Sequence, residues 1–407
     1  DNAAGLLFQK QRHRCIDAVI HSLYIHRKEP VPLLLRRLAQ KPRDGDSRVA
    51  HQNIHIPRLP EGIFYSLCVG NVTVGGTGKT PHTEMLVRTL LEEDEWMGRN
   101  IAVLSRGYKR QSKGFQQVTA DGSAEFYGDE PMQIKRKFPQ ITVCVDKSRK
   151  NGCRFLCNPE LVRTSKKGRK CREKDFPKAD AIILDDAFQH RAIKPTLSIV
   201  LVDYNRPTFK DYLLPIGRLR DLPERIGAAD IVIVTKCPTY IDEAEKKRWA
   251  ENLGIREYDQ QSCCGTRKNG KKQHIFFTCI AYDTAKAVFP EGDSRYLYAK
   301  RLILFSGIAN DTPLRNYLCG DYKIVKHFNF PDHHRFSRAD MLSIRDAADA
   351  YPTSVVMTTE KDCQRVRDCR YVTGGLKPRM FHAPIKVEFL CDEDRNIFKS
   401  TVISALR

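Results

Sequence analysis

Short runs of apolar residues recur along this chain, each followed by a stretch of mixed polarity that is long enough for a helix. Strands of a parallel sheet that is covered on both faces are apolar throughout, and helices connect them. The pattern therefore predicts an α/β fold built on a parallel sheet. Its strands are expected at residues 101–104, 141–145, 181–184, 197–202 and 231–234.

A second series of apolar runs follows a polar stretch, at residues 302–305, 322–328 and 354–357. This series predicts a second, smaller α/β/α domain. Residues 276–282 and 385–390 bracket it and alternate in polarity as exposed strands do, so we expect a two-stranded ribbon to join the two domains. A last helix is predicted at about residues 397–407.

These patterns divide the chain of 407 residues into five parts. The first is a divergent, basic N-terminal segment, for which an amphipathic membrane-surface helix and a poorly ordered or non-native leader remain alternatives. No apolar run reaches the roughly 18 to 20 residues that span a bilayer. The five parts are the N-terminal segment (1–60), a core domain (61–275), a linker strand and connection (276–295), the smaller domain (296–380), and a return strand with the C-terminal helix (381–407).

The charge of the chain is strongly positive, with 69 Lys and Arg against 49 Asp and Glu and a formal net charge of +20. This excess favours a polyanionic partner, which is a nucleic acid, an acidic membrane surface or a phosphorylated substrate. The basic tracts at residues 163–174 and 267–272 contain no aromatic residues on which bases would stack.

The 14 cysteines include no CxxC pair, so the sequence carries no zinc signature.

The clearest chemical signal is the segment VGNVTVGGTGKTP at residues 69–81, between an apolar run and an amphipathic pattern. It is typical of a phosphate-binding loop (P-loop), in which glycines allow backbone N–H groups to surround a phosphate. Lys79 is predicted to reach the β- and γ-phosphates of ATP, and Thr80 to hold Mg²⁺. The predicted ATP-binding residues are Val72, Thr73, Val74, Gly75, Gly76, Thr77, Gly78, Lys79 and Thr80, with Thr73 at the usual place of the first glycine.

Further acidic and histidine residues suit phosphoryl transfer. Asp185 and Asp186 follow an apolar run, where a P-loop enzyme needs a carboxylate near Mg²⁺; a helix N-cap is the alternative reading. The segments GDEP (128–131) and PDHHRF (331–336) supply a carboxylate and two histidines. A hydroxyl acceptor must lose a proton, so an Asp–His pair between two domains would serve as a base, which remains a hypothesis from these residues alone.

Eight motifs occur in an order that resembles the tetraacyldisaccharide 4′-kinases of lipid A biosynthesis. The resemblance implies transfer of the γ-phosphate of ATP, with Mg²⁺, to the 4′-hydroxyl of a tetraacylated glucosamine disaccharide 1-phosphate. The motifs are VGNVTVGGTGKTP (69–81), LSRGY (104–108), GDEP (128–131), LDDAFQH (184–190), LPIGRLR (214–220), FSGIA (305–309), DHH (332–334) and TEKD (359–362).

The same resemblance implies a P-loop kinase core and a place for the protein. We expect a peripheral protein at the cytoplasmic face of the inner membrane of a Gram-negative bacterium, bound to its anionic surface. The expected partner is the lipid A disaccharide precursor, without nucleic acid, and we expect a monomer. The positive charge of the chain would then attract an anionic lipid surface and a phosphorylated substrate.

Carried over by position, Asp129 resembles the general base, His333 its assistant, and Lys79 a further catalytic residue. Asp185 and Asp186 correspond to the acidic pair near Mg²⁺. The family usually has Glu where this chain has Asp221. The residues implied in the path of the substrate are Asn71, Arg106, Arg149, Gln189, His190, Arg220 and Asp221.

Two alternatives stay open at this stage. The net charge also suits a P-loop ATPase that depends on nucleic acid, and such activity would fall steeply with salt. The replacement at Asp221 and the unusual N-terminal segment also suit a descendant that binds ATP or lipid without transferring phosphate.

Overall fold

The computed structural model describes residues 65–190 and 193–407, which belong to one compact unit. The predicted N-terminal segment lies outside the described residues. The strands are β1 (Tyr65–Asn71), β2 (Ile101–Ser105), β3 (Gln116–Gln117), β4 (Thr142–Val145), β5 (Ala181–Asp185), β6 (Leu197–Asp203), β7 (Ile231–Thr235), β8 (Ile255–Asp259), β9 (Cys264–Arg267), β10 (Lys272–Tyr282), β11 (Lys286–Ala287), β12 (Arg301–Ser306), β13 (Lys323–Asn329), β14 (Val355–Thr359), β15 (Met380–Ala383) and β16 (Ile385–Phe389).

Ten α-helices lie within the described residues, together with short 3₁₀ turns. The helices are α1 (Lys79–Leu91), α2 (Ala124–Tyr127), α3 (Asp129–Lys137), α4 (Arg149–Cys157), α5 (Glu160–Thr164), α6 (Glu243–Asn252), α7 (Thr312–Leu318), α8 (Arg338–Ala350), α9 (Glu360–Arg367) and α10 (Asp392–Ser404). The 3₁₀ turns are Asp94–Trp96, Thr208–Lys210, Pro223–Ala228, Ser294–Tyr298 and Lys377–Arg379.

The larger sheet, which we call the core sheet, has the strand order β3-β4-β2-β5-β1-β6-β7-β10-β9-β8. The strands from β4 to β10 run parallel, and β3, β9 and β8 add antiparallel edges. Two apolar clusters, one on each face, bury these strands, which explains why their sequences are apolar throughout. In an open parallel sheet, ligands bind beyond the carboxyl ends of the strands, and the predicted site residues at the ends of β1, β2 and β5 lie there.

The smaller sheet, which we call the small sheet, has the order β11-β15-β14-β12-β13. All its strands are parallel except β11, and apolar clusters again cover both faces. The predicted ribbon is present, because residues 278–282 of β10 pair antiparallel with β16. The first half of β10 belongs to the core sheet, so this one strand runs out of that sheet into the ribbon.

The α/β class, the parallel core sheet, the second sheet and the ribbon are confirmed. The hairpin β8–β9 and strand β15 were not predicted from the sequence. The last helix begins at Asp392 rather than near residue 397, because the acidic residues Asp392, Glu393 and Asp394 suit the first turn of a helix. The exact domain boundaries stay predictions. Of the helices in the described ranges, none has the length and apolar character needed to cross a bilayer.

Candidate active site

The glycine-rich loop joins β1 to α1 as predicted. Gly75 and Gly78 have φ angles of 96° and 84°, in the left-handed region that favours glycine. Gly75 and Gly76 are exposed, and a Cβ atom added to Gly76 would meet no atom within 4 Å. Lys79 and Thr80 begin α1 and are half-buried. The loop is therefore accessible to a phosphate and ends at a helix N-terminus, which favours anions.

Side chains at the carboxyl ends of two strands hold this loop. Asn71, at the end of β1, donates from Nδ2 to Thr77 Oγ1 at 2.8 Å. Thr235, at the end of β7, donates from Oγ1 to the Thr77 carbonyl at 3.0 Å. The next residue, Lys236, donates to the Gly76 carbonyl. The loop is thus preorganised by the sheet before any nucleotide binds.

His82, in the first turns of α1, is a residue that the motif analysis missed. Its Nδ1 lies 2.7 Å from the Gly78 carbonyl, and its Nε2 lies 3.1 Å from Thr278 Oγ1 in the ribbon strand β10. Burial lowers the pKa of His82 to about 4. The neutral ring therefore donates from Nδ1 to Gly78 and accepts at Nε2, and so ties the loop to the ribbon.

The acidic pair follows β5. Asp185 is buried, and its Oδ2 accepts a hydrogen bond from Ser105 Oγ at 3.0 Å, while Thr83 Oγ1 lies 3.5 Å from Oδ1. Burial, and after it the charge of Asp186, raises the pKa of Asp185 to about 6. Asp185 therefore joins the ends of β2 and β5 to α1.

Asp186 has a positive φ of 50° and lies nearer the surface, where two basic residues approach its carboxylate. Arg220 donates to both oxygens, and Lys79 Nζ lies 3.8 Å from Oδ1. Burial alone would raise the pKa of Asp186, but the hydrogen bond from Arg220 and the charge of Lys79 outweigh it and lower that pKa. Arg220 also donates to Asn71, so the loop, the acidic pair and Arg220 form one contiguous cluster.

Arg149 occupies a different place from the one predicted. Its side chain is fully buried, and it donates to the Asp146 carbonyl at 2.8 Å and to the Asp185 carbonyl at 2.7 Å. Because these backbone contacts hold the whole guanidinium away from the surface, Arg149 does not line an accessible substrate path in this conformation. Its role here is to hold the backbone of the acidic pair.

The other residues predicted in the substrate path lie around this cluster. Gln189 donates to the Asn71 carbonyl, Arg106 is exposed, and His190 is half-buried. Burial, followed by the charges of Arg149 and Arg106, lowers the pKa of His190. Asp221 pairs with Arg225, whose Nε lies 3.5 Å from Oδ2.

Asp129 and His333 meet between the two sheets. Asp129 is the first residue of α3 and is 9% exposed, and its Oδ2 lies 3.0 Å from His333 Nδ1. His333 comes from the connection between β13 and α8 and has a φ of 62°. Arg365 Nε lies 3.7 Å from the same oxygen of Asp129. The sequence analysis raised an Asp–His pair from these two segments as a hypothesis and assigned Asp129 and His333 to it by resemblance, and it missed Arg365.

The segment after β2 connects the acidic pair to the Asp129–His333 pair. It follows Ser105, the last residue of β2, whose hydroxyl donates to Asp185. A Cβ atom on Gly128 would lie 3.4 Å from the Cα of Gly107, so the segment packs against the start of α3. The ring of Tyr108 lies 5.7 Å from the ring of His333. The two clusters are therefore neighbours in one site.

A buried charged triad joins the helices that carry these clusters. Lys137 Nζ, in α3, lies 2.6 Å from Glu84 Oε2 in α1 and 2.9 Å from Glu360 Oε1 in α9. Burial, reinforced by Glu360 and opposed by Lys137, raises the pKa of Glu84 to about 7. The two carboxylates outweigh burial at Lys137 and raise its pKa, so the lysine stays charged. The triad fixes three helices relative to one another: α1 after the P-loop, α3 with Asp129, and the first turn of α9.

The residues available for a metal are oxygen ligands. Within residues 65–190 and 193–407, no group of three or more His, Cys, Asp and Glu is arranged to hold a metal ion. Mg²⁺ is usually bound by one or two carboxylates together with phosphate oxygens and water. The hydroxyl of Thr80 and the carboxylates of Asp185 and Asp186 therefore fit Mg²⁺ beside a nucleotide, and they do not form a closed protein cage.

Comparison with known proteins decides the family. The sequence profile described as Tetraacyldisaccharide-1-P 4′-kinase matches residues 65–406. The chain belongs to this family. The family inferred from the eight motifs is confirmed, and with it the class of enzyme, a kinase that transfers phosphate to a hydroxyl; neither alternative kept open by the sequence is favoured.

Curated family members resemble the chain over most of its length. The tetraacyldisaccharide 4′-kinase of Phocaeicola vulgatus is 38% identical over 347 residues, which cover 84% of this chain and 86% of the relative. That of Bacteroides fragilis strain YCH46 is 36% identical over 350 residues, covering 84% of each chain. That of Flavobacterium johnsoniae is 36% identical over 325 residues, covering 80% of this chain and 82% of the relative.

A solved structure of the family shares the fold. It is the "apo" form of LpxK from Aquifex aeolicus in complex with ATP, with a TM-score of 0.58 and 23% sequence identity, covering 86% of this chain and 90% of that chain. At this identity the likeness supports the fold alone.

Proposed function

We propose that this protein transfers the γ-phosphate of ATP to the 4′-hydroxyl of a tetraacylated glucosamine disaccharide 1-phosphate. The observation that carries the proposal is the adjacency of two clusters: the accessible P-loop with its acidic pair, and the Asp129–His333 pair 3.0 Å apart between the two sheets. Phosphoryl transfer depends mainly on positioning and charge neutralisation, with a base to take the proton of the acceptor. The two clusters supply these parts.

In this proposal the P-loop backbone and Lys79 bind the phosphates of ATP. Thr80, Asp185 and Asp186 hold Mg²⁺, which when bound would neutralise phosphate charge. Arg220 is half-buried and donates to the carboxylate of Asp186, and it can exchange this carboxylate partner for a phosphate oxygen. Lys79 Nζ lies 3.8 Å from the same carboxylate, which is a weak contact. Lys79 can therefore also exchange Asp186 for a phosphate oxygen.

Asp129 acts as the general base in the proposed reaction. Its carboxylate accepts the proton of the 4′-hydroxyl while the hydroxyl oxygen attacks the γ-phosphorus, the bond from the γ-phosphorus to the bridging oxygen breaks, and ADP leaves. His333 and Arg365 both approach Oδ2 and fix the orientation of the carboxylate. The proposed substrate path runs over residues near both clusters, namely Asn71, Arg106, Gln189, His190, Arg220 and Asp221.

We also propose that the protein binds, as a monomer, the anionic cytoplasmic face of the inner membrane of a Gram-negative bacterium, and that nucleic acid is not its partner. Support comes from residues 212–222, which we call the apolar loop. Five large side chains in it, Tyr212, Leu213, Leu214, Ile216 and Leu222, are between 44% and 67% exposed. Exposed apolar patches of this kind mark interaction surfaces, and a charge of +20 suits anionic lipids.

The apolar loop lies beside the nucleotide site. The Val74 N–H donates to the Arg218 carbonyl at 2.8 Å, and Thr73 pairs with Leu219. A membrane at this loop would therefore bring lipid substrates next to the P-loop, which is what a kinase with an acylated acceptor requires.

The test is a kinase assay with the full chain, ATP, Mg²⁺ and the tetraacylated disaccharide 1-phosphate in mixed micelles. We expect a product one phosphate heavier by mass spectrometry, and no product from Lys79→Ala, which should remain folded. DNA and RNA are added in separate reactions. ATP hydrolysis that rises with nucleic acid, without lipid product, would refute the proposal.

A further inference from the structure

In the TEKD motif at residues 359–362, only Glu360 has been given a role so far, as a member of the charged triad. It spans the end of β14 and the first turn of α9. Thr359 caps the helix, since its Oγ1 accepts from the Asp362 N–H at 3.0 Å and donates to Asp362 Oδ2 at 2.6 Å. The same Oδ2 of Asp362 also accepts a hydrogen bond from the Gly307 N–H at 2.9 Å. These contacts hold the first turn of α9, which carries Lys361.

Lys361 contacts the Asp129–His333 pair from the far side of the imidazole. Its Nζ lies 3.1 Å from His333 Nε2, 3.4 Å from Asp332 Oδ1 and 3.6 Å from Glu130 Oε1. The nearest carboxylate oxygen to Nε2 is farther away, at 3.8 Å on Asp332. Lys361 is thus the hydrogen-bond partner of Nε2.

This contact determines which ring nitrogen carries the proton. A lysine ammonium has three donors and no acceptor, so the nitrogen that it bonds must be an unprotonated acceptor. A proton on His333 Nε2 would place two donors 3.1 Å apart. The ring proton therefore resides on Nδ1, which donates to Asp129 Oδ2 at 3.0 Å.

We propose that Lys361 is a positioning residue that keeps His333 in the Nδ1–H tautomer and thereby keeps Asp129 oriented as a base. The catalytic consequence rests on the proposed function, whereas the tautomer does not. Without Lys361, the Nε2–H tautomer becomes accessible. That tautomer presents the Nδ1 lone pair to a carboxylate oxygen, and two acceptors at hydrogen-bond distance repel each other.

The backbone at His333 supports this role. A φ of 62° is uncommon for a residue other than glycine, and such strain persists where the surroundings impose it. The His333 N–H donates to the Gly307 carbonyl at 3.2 Å, and Gly307 in turn is bonded by Asp362 of the same TEKD motif. One motif therefore holds both the backbone of His333 and the far nitrogen of its ring.

The experiment measures the tautomer directly, by long-range ¹H–¹⁵N correlation spectra of the full chain labelled with ¹⁵N-histidine, without substrate. His333→Gln assigns the signals. We expect wild type to show the Nδ1–H pattern, Lys361→Met to show a mixture of tautomers, and Lys361→Arg, which retains donors, to restore the wild-type pattern. Lys377→Met is the matched control, because it removes another lysine pair, with Glu291 at 3.0 Å.

Turnover is measured on the same variants. Lys361→Met should lower kcat by about 10-fold, less than loss of the base itself, and Lys361→Arg should recover most of it. An Nε2–H ring in wild type overturns the proposal, as does an unchanged tautomer in Lys361→Met. If the tautomer changes as expected while no variant or wild type phosphorylates lipid, the proposed function fails and the role of Lys361 stands. If Lys361→Met does not fold, the wild-type tautomer alone decides.

Discussion

Asp129 Oδ2 and His333 Nδ1 lie 3.0 Å apart although 204 positions separate the two residues in the chain. Asp129 begins α3, which packs on the core sheet. His333 follows β13, a strand of the small sheet. The pair therefore exists only while the two sheets keep this arrangement. The ribbon of β10 and β16, together with the triad of Lys137, Glu84 and Glu360, maintains it.

His333→Ala should reduce kcat less than Asp129→Asn does, and the two effects should not add in the double variant. The reason is that His333 acts through Asp129, so its contribution disappears once the base is gone. The measurement is a double-mutant cycle on kcat with saturating ATP. Fully additive effects would mean that the two residues act independently.

Arg149→Met should destabilise the protein by at least about 2 kcal/mol, because it leaves two buried carbonyl groups without donors. Arg106→Met is the matched control, since Arg106 is exposed and its loss should change the free energy of unfolding by less than about 0.5 kcal/mol. Urea denaturation of both variants provides the comparison. Equal stability of the two would contradict the structural role that we assign to Arg149.

The residues predicted best from the sequence are those whose chemistry is local. The P-loop and the acidic pair each follow one apolar strand, so spacing alone places them at the same edge of a parallel sheet. Arg149 was predicted in the substrate path by the position that the family resemblance gives it. Its carbonyl partners are formed by the fold, and the sequence gives no sign of them.

Contacts between the sheets could not be predicted from the residues themselves. The motifs containing Asp129, His333 and Lys361 were recognised by resemblance, but their mutual distances depend on tertiary packing. Arg365 belongs to no motif at all. The available signal for Arg365 was its spacing. It lies three residues after Asp362 in a helix, and side chains at this spacing can form an ion pair, as these two do.

Glu84→Gln should change how stability depends on pH. The pKa of Glu84 is raised from 4.5 to about 7 in the folded protein, so between these values the folded state retains a proton that the unfolded chain has released. The free energy of unfolding of wild type therefore falls as pH rises through this window, by about 3 kcal/mol from this group.

The variant lacks this titrating group. The free energy of unfolding of Glu84→Gln, minus that of wild type, should therefore increase from pH 4.5 to pH 7 and then stay constant. Urea denaturation at pH 5, 6, 7 and 8 measures the difference. A difference that is the same at every pH would show that Glu84 does not titrate in this range.

Ile216→Asp and Leu222→Asp should weaken binding of the full chain to vesicles that contain anionic lipids. Each apolar side chain of this size contributes about 1.5 to 3 kcal/mol when fully buried, so the loss should reach about tenfold per variant. Met97→Asp is the control, because Met97 is 80% exposed and lies outside the apolar loop. Vesicle co-sedimentation measures the affinity. Unchanged binding of both loop variants would assign membrane contact to another part of the chain.

The most direct test of the account is transfer of the labelled γ-phosphate of ATP to the 4′-oxygen of the tetraacylated disaccharide 1-phosphate by wild type and by Asp129→Asn. Nucleotide binding is measured on both proteins. The account predicts 4′-phosphorylated lipid from wild type, and a kcat lower by roughly 10² or more in Asp129→Asn, as expected for loss of a general base, with unchanged nucleotide affinity. Equal turnover by the two proteins would contradict it.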